Sequence, residues 1–269
     1  MSRFTSIYKY LKHFLTAKNT GGHGVHSPFM YQFTRYVLRE NHPFYVFDSI
    51  ERLRDSLKMD WRVLTVTDFG TGINRTRVVS DIAKKSIKST RESQLLFRIA
   101  HYIKAENVLE LGTSLGITTS YLGSLSPRMK CVTLEGCPQI AAVAAENFRK
   151  LNLKTIELVV GNIDVTLPGV LASMPQLDVI FVDANHRSSA VLRYFELCLA
   201  HVHKNSIIII DDKIINFDSI LKKYKENMNF IVLSDEKYEN IALNLNNNVK
   251  VEDLIKEVKN YFLSQKGSL

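Results

Sequence analysis

The stretch VLELGTSLGITT (108–119) runs from apolar residues into an acid, Glu110, and then sets two glycines, Gly112 and Gly116, four positions apart. Glycines in such a turn let a ligand come close to the backbone. The chemistry is not that of a pyrophosphate cradle. A G-x-G-x-x-G pattern needs a middle glycine where this chain has Ser114, after Thr113, and no third glycine follows. No P-loop G-K-[ST] is present either. Glu135 closes VTLEG (132–136) beside Gly136, 23 residues after Gly112. A carboxylate at such a strand end accepts hydrogen bonds from both hydroxyls of a ribose. A third turn, VVGNID (159–164), carries Gly161, Asn162 and Ile163.

The elements that must hold these turns are legible from their apolar patterns. NVLELG (107–112), KCVTLEG (130–136), IELVVGN (156–162), LDVIFVDA (177–184) and SIIIIDD (206–212) read as strands, with helices such as 138–151 and 188–202 between them. Strands apolar nearly throughout and separated by helices imply a parallel sheet covered on both faces. Ligands then sit at the carboxyl ends of the strands, where all three turns fall. FIVLSD (230–235) and IALNLN (241–246) lie too close for a crossover helix and predict an antiparallel hairpin, followed by an amphipathic helix over 251–265. Ser89 and Glu92 form a capping box for a helix running to about Lys104. A ribose acid beside a turn without a phosphate cradle narrows the ligand to S-adenosylmethionine and its relatives.

Upstream the texture differs. Phe4, Ile7, Tyr8, Leu11, Phe14 and Leu15 form one stripe of a helix over 4–17, and GGHGVHSPF (21–29) breaks it. Helices are expected near 29–40 and 47–58, and a short strand over RVLTVTDF (62–69). The DFGTG that ends this region (68–72) is not a kinase signature, because no catalytic loop or phosphate-covering loop accompanies it. It reads as structural or as part of a lid, with Arg75, Arg77, Lys84 and Lys85 as cations for an acidic substrate. His23 and His26 read as loop packing or as a cover for the pocket.

Composition sets outer bounds. The chain has 269 residues, 45% hydrophobic and 23% charged, enough for a full-sized core. Three cysteines without a CxxC pair argue against a disulfide or zinc framework and fit a reducing, cytoplasmic setting. No apolar run reaches the roughly 18–20 residues of a transmembrane segment, and MSRFTSIYKYLKHF has no signal-peptide core. The net charge of +8 favours anionic partners in general, but nucleic acid is not the expected one.

VLELGTSLGITT, VTLEG, VVGNID and VIFVDANH, in that order and spacing, resemble the class I S-adenosylmethionine-dependent methyltransferases. Within the class the chain is most similar to O-methyltransferases of the catechol and caffeoyl-CoA type. GGHGVHSPF and DFGTG resemble a bacterial branch of largely unassigned substrate. The resemblance implies an α/β, doubly wound, seven-stranded and mostly parallel Rossmann-like sheet of order 3-2-1-4-5-7-6. It places a helical extension or lid over 1–90 and the cofactor-binding domain over 91–269. It further implies that Gly112 and Gly116, with Thr113 and Ser114 between them, flank the methionine moiety and that Thr118 bonds its carboxylate. Glu110 supports the turn or the cofactor's ammonium, Glu135 with Gly136 holds the ribose, and Gly161, Asn162 and Ile163 border the adenine.

The same resemblance bears on the chemistry. In catechol-type enzymes magnesium is held by acids at the ends of the fourth and fifth strands, where this chain has Asp183 and the pair Asp211-Asp212. Three oxygen ligands there would suit a hard cation. Cofactor-pocket or substrate contacts without a metal, and purely structural strand ends, stay open beside that reading. The pair departs from the family's Asp-Asn, and Lys213 follows it. His186 stands where the family has a basic residue and is the candidate general base, with a substrate-side or solvated histidine as the alternative. The expected activity is methyl transfer to oxygen of a small molecule, with a homodimer possible. A non-catalytic scaffold on the same fold is the rival. An RNA methyltransferase ranks lower, since DANH replaces the Pro-Pro-aromatic motif of base methylation.

Overall fold

The computed structural model describes residues 28–67, 69, 74–174, 176–185, 187–211, 230–234 and 240–244. The expected helices over 4–17 and 251–265, most of GGHGVHSPF with its two histidines, His186, Asp212 and Lys213 lie outside them. Five strands form the parallel part of the sheet. They are β3 (Asn107–Leu111), β4 (Lys130–Glu135), β5 (Ile156–Val160), β6 (Leu177–Val182) and β7 (Val202–Ile210). β8 (Phe230–Ser234) and β9 (Asn240–Asn244) complete it as an antiparallel hairpin, with β9 against β7. The order is β5-β4-β3-β6-β7-β9-β8. Counted from β3, this is the 3-2-1-4-5-7-6 arrangement that the resemblance implies. β7 starts at Val202, earlier than the apolar run SIIII alone indicates, because Val202 already pairs with Leu177 across an irregular register.

Helices cover both faces. On one face, α4 (Thr90–Tyr102) lays Leu95, Leu96, Ile99 and Ala100 against Val108, Cys131, Val179 and Phe181. On the other, α7 (Ile163–Ser173) and α8 (Ser188–Leu199) bury Leu167, Leu171, Val191, Tyr194 and Phe195 against Leu109, Leu111, Val132 and Ile180. Near-continuous apolar strands are the necessary consequence of a sheet with no wet face. The capping box of α4 forms in full. Ser89 Oγ accepts the Glu92 amide at 3.3 Å, and Glu92 Oε2 accepts the Ser89 amide at 2.7 Å.

The residues before Ser89 divide between the α4 face of the sheet and a third cluster beside the glycine turn. A short helix α1 (Pro28–Phe33) passes into a π-helical turn (Thr34–Leu38) that buries Val37 and Leu38. α2 (Tyr45–Lys58) buries Phe47, Ile50, Leu53 and Leu57 against Phe97, Leu115, Ile117 and Tyr121. Phe47 meets Phe97 and Tyr121 edge-on, each at 5.1 Å between ring centroids, geometry worth about 0.5–1.5 kcal/mol per pair beyond area burial. The expected lone strand at 62–69 proves to be half of a hairpin. β1 (Val63–Val66) pairs antiparallel with β2 (Arg75–Val78), which leads into α3 (Val79–Lys85).

Candidate active site

β3 ends at the glycine turn, and α5 (Ile117–Gly123) begins beyond it. Gly112 has φ of 101°, and a Cβ there would lie 2.1 Å from the Asp183 carbonyl oxygen. The parallel pairing of β3 with β6 causes this approach, because the Asp183 amide donates to Leu111 O at 2.8 Å. Gly116, also left-handed at φ 78°, is the N-cap of α5, and the Phe148 ring lies 2.6 Å from where its Cβ would stand. The amides of Gly112 and Thr113 both donate to Leu134 O, at 2.9 and 3.2 Å. Ser114 adopts φ 49° although it is not glycine. That rotation aims its amide at Glu135 Oε2, 2.9 Å away. The residue that breaks the dinucleotide pattern thus ties the turn to Glu135.

Glu135 is the last residue of β4 and is held from two sides, with Oε2 accepting the Ser114 amide and Oε1 accepting the Cys137 amide at 2.9 Å. Burial raises its pKa, against the opposing pull of the Cys137, Ser114 and Gly136 amides. Each carboxylate oxygen has two lone-pair sites, so capacity for hydroxyl donors remains after the amides are bound. The β1–β2 hairpin docks here. The Thr65 amide donates to Gln139 Oε1 at 2.6 Å, and the Thr67 amide to Cys137 Sγ at 3.4 Å. This anchors it on the first turn of α6 (Pro138–Lys150). Its Phe69 ring, 49% exposed, passes 2.9 Å from the place a Cβ on Gly136 would occupy. Of DFGTG, Phe69 is the residue described, and it lies over the Glu135–Gly136 turn.

The third turn is placed differently in detail. Gly161 has φ of 146° and donates its amide to Glu135 O at 2.9 Å. Asn162 caps α7 by accepting the Asp164 amide at 3.0 Å. Ile163 is buried with Leu167 and Leu171 in the core. Thr118 is buried in the first turn of α5, and its neighbour Thr119 donates to Glu110 Oε2.

Glu110 lies wholly buried beneath the turn. Oε2 also accepts Thr133 Oγ1 at 2.6 Å, and Thr133 is 2.7 Å from the Thr113 hydroxyl. Oε1 has no hydrogen-bond partner among the described residues. Desolvation pushes the pKa up to about 8, the Thr119 and Thr133 hydroxyls oppose it, and the charges of Asp183 and Glu135 add to the rise. A buried orphan carboxyl oxygen costs about 1–3 kcal/mol unless a donor reaches it. A ligand ammonium is such a donor, so the residues present fit an amino-acid-bearing nucleoside.

Asp183 and Asp211 follow adjacent parallel strands whose last pairs are Val182 and Ile210, and the Asp211 amide donates to Val182 O at 2.9 Å. That register sets the two carboxylates side by side. Between them stands a cation the sequence reading did not name. Lys88 Nζ donates to Asp211 Oδ2 and lies 3.7 Å from Asp183 Oδ2. Arg54, buried in α2, donates to the Lys88 carbonyl and to Glu51 Oε1, and Glu51 also accepts Tyr121 Oη at 2.7 Å. Among the described residues no group of three His, Cys, Asp or Glu side chains could hold a metal ion. The expected ligand pair is instead joined through an ammonium. The Lys88 ammonium already occupies the position between the two carboxylates that a shared metal ion would take. The residues described do not fit a metal alongside Lys88.

Comparison with known proteins agrees with this geometry. A profile for a methyltransferase domain matches residues 109–213, from β3 through the Asp211 turn. The matched residues, 109–213, are similar to a methyltransferase domain over less than half of the chain. The chain is 32% identical over 128 residues to a catechol O-methyltransferase of Mycobacterium tuberculosis, covering 47% of this chain and 56% of that one. It is 30% identical over 129 residues to a catechol O-methyltransferase of Niastella koreensis, covering 47% and 58%. The chain thus spans little more than half the length of these curated relatives. The methyltransferase fold recurs in the O-methyltransferase TomG of Streptomyces achromogenes, solved with S-adenosylmethionine. That structure has a TM-score of 0.54 and 17% identity, over 79% of this chain and 94% of that one. It recurs also in a Bacillus cereus O-methyltransferase solved with S-adenosylhomocysteine, with a TM-score of 0.52 and 18% identity, over 79% and 96%.

Proposed function

We propose that this chain is an S-adenosylmethionine-dependent methyltransferase acting on an oxygen of a small molecule. One observation carries the reading: the left-handed Ser114 amide bound to Glu135 joins a close-approach glycine turn to a ribose-binding acid. When bound, the cofactor supplies the sulfonium methyl group. Glu135 accepts the ribose hydroxyls, Gly112 and Gly116 leave room for the amino-acid moiety, and Glu110 offers its orphan oxygen to the ammonium. Phe69 and the hairpin cover the adenosine side and exclude water. Transfer would form the O–CH3 bond from an acceptor-oxygen lone pair as the C–S bond of a bound cofactor breaks with its electron pair left on sulfur, and the hydroxyl proton would pass to a base or to water. Asp183 borders the acceptor side, and His186, three positions on, remains the proposed base. The helices before Ser89 serve as the lid. A cytoplasmic setting accords with three cysteines that are all free and buried, and no helix among the described residues is long and apolar enough to cross a membrane.

The test is to incubate the chain with methyl-labelled S-adenosylmethionine and a cell extract, then separate small molecules, protein and nucleic acid. Label moving to the small-molecule fraction is the expected result. Label in RNA or protein, or in no fraction, contradicts the proposal.

A further inference from the structure

We propose that the Lys88 ammonium is the resident cation of the acceptor side, standing between Asp183 and Asp211 in place of a divalent metal and recognising a single acceptor oxygen. The inference rests on the methyltransferase reading and adds to it. It comes from one juxtaposition: Lys88 Nζ donates to Asp211 Oδ2 and stands 3.7 Å from Asp183 Oδ2. The lysine side chain is 14% exposed and the two carboxylates are 21% and 14% exposed, so the trio is largely withdrawn from water. Low exposure strengthens charge interactions and raises the cost of any uncompensated group. One ammonium between two carboxylates leaves the trio with a net charge of about −1, where removal of the lysine would leave about −2.

The backbone around Lys88 is built to keep it there. Arg54 donates to the Lys88 carbonyl and to Ser93 Oγ, while Thr90 Oγ1 donates to Glu51 Oε2. The next residue, Ser89, is locked by the capping box of α4. A lysine preceding a helix is ordinarily a solvated charge, whereas this one is fixed at both flanks and turned inward.

The donor count sets the substrate class. An ammonium has three N–H donors, and the two carboxylates engage at most two of them. At least one donor is left over for an acceptor oxygen. A hard divalent cation takes six or more oxygen ligands and chelates neighbouring pairs. The arrangement therefore suits a lone hydroxyl or carboxylate oxygen rather than a chelated vicinal diol.

The experiment titrates the full chain and its Lys88→Met variant with manganese, followed by the electron paramagnetic resonance signal of the free ion. S-adenosylhomocysteine affinity is measured on the same preparations, and Lys88→Gln serves as a second charge-removing variant should Lys88→Met fail to fold. The expected result is that the wild type leaves manganese free at 1:1 stoichiometry, while the neutral variant binds it and keeps its S-adenosylhomocysteine affinity within about threefold. Stoichiometric manganese on the wild type overturns the inference. So does a neutral variant that binds none, because the aspartate pair is then no cation site. Magnesium-dependent binding of catechol to the S-adenosylhomocysteine complex would overturn the single-oxygen recognition. A wild type that does not bind S-adenosylhomocysteine counts against the methyltransferase reading and not against the Lys88 assignment.

Discussion

Gly112 and the Asp183 carbonyl are packed so closely that no Cβ fits between them, with 2.1 Å left for it. The glycine turn and the acidic end of β6 are therefore one structural unit. The carbonyl belongs to backbone just past a central strand, held by the Asp183 amide on Leu111 O, so it cannot rotate away as a side chain would, and φ of 101° adds strain for any L-residue. Gly112→Ala should lose about 3 kcal/mol or more of folding stability, drawing on overpacking and backbone strain together. Urea denaturation reads this directly. A loss under about 1 kcal/mol would mean that the β3–β6 junction relaxes freely.

Ser114 makes the opposite prediction. It already occupies a left-handed conformation at φ 49° and contributes its amide to Glu135. Ser114→Gly should raise stability by up to about 1 kcal/mol, since glycine avoids the left-handed penalty while keeping the amide. S-adenosylhomocysteine affinity should change by less than about threefold. A large loss of affinity would assign the serine hydroxyl itself to the ligand.

Glu110 predicts a pH dependence. Burial raises its folded pKa to about 8, above the roughly 4.3 of a free glutamate. Between those values the folded state binds more protons than the unfolded one. Its contribution to stability is complete below about pH 4.3 and is lost as pH rises through 8, at up to about 1.4 kcal/mol per pH unit. Glu110→Gln should remove this slope. Denaturant midpoints of the two proteins from pH 5 to 8 should diverge, and parallel profiles would contradict the raised pKa.

Phe69 predicts a binding effect with little effect on the fold. It is half exposed and lies over Gly136, so Phe69→Ala should leave the melting temperature nearly unchanged. Loss of its apolar cover should weaken S-adenosylhomocysteine by about tenfold, the equivalent of about 1.4 kcal/mol. Unchanged affinity would remove the hairpin from the cofactor site.

Much of the sheet was legible because its central strands carry near-continuous apolar runs, which local composition reports directly. The α4 capping box was legible for the same reason, since its two partners are three residues apart. β2 was not, because RTRV buries no residue and lacks the alternation that marks a half-buried strand. Lys88 was hidden more deeply. Its partner Asp211 lies 123 positions away, and the lysine sits among the ordinary surface charges of KKSIKST. Sequence order pointed to Lys213 as the neighbouring cation, whereas spatial order among the described residues supplies Lys88. Ile163 and Asn162 show the same limit at smaller scale. A turn motif names the position, but whether a side chain faces the ligand or caps and packs its own helix depends on the helix that follows.

The central claim is that the Ser114–Glu135 turn holds an adenosyl amino acid, and calorimetric titration with S-adenosylhomocysteine tests it most directly. The account predicts micromolar binding that is indifferent to magnesium and weakened about tenfold or more by Glu135→Ala, which removes a charged acceptor worth about 1.5–3 kcal/mol. No heat of binding to the wild type, or binding unaffected by loss of Glu135, would contradict it.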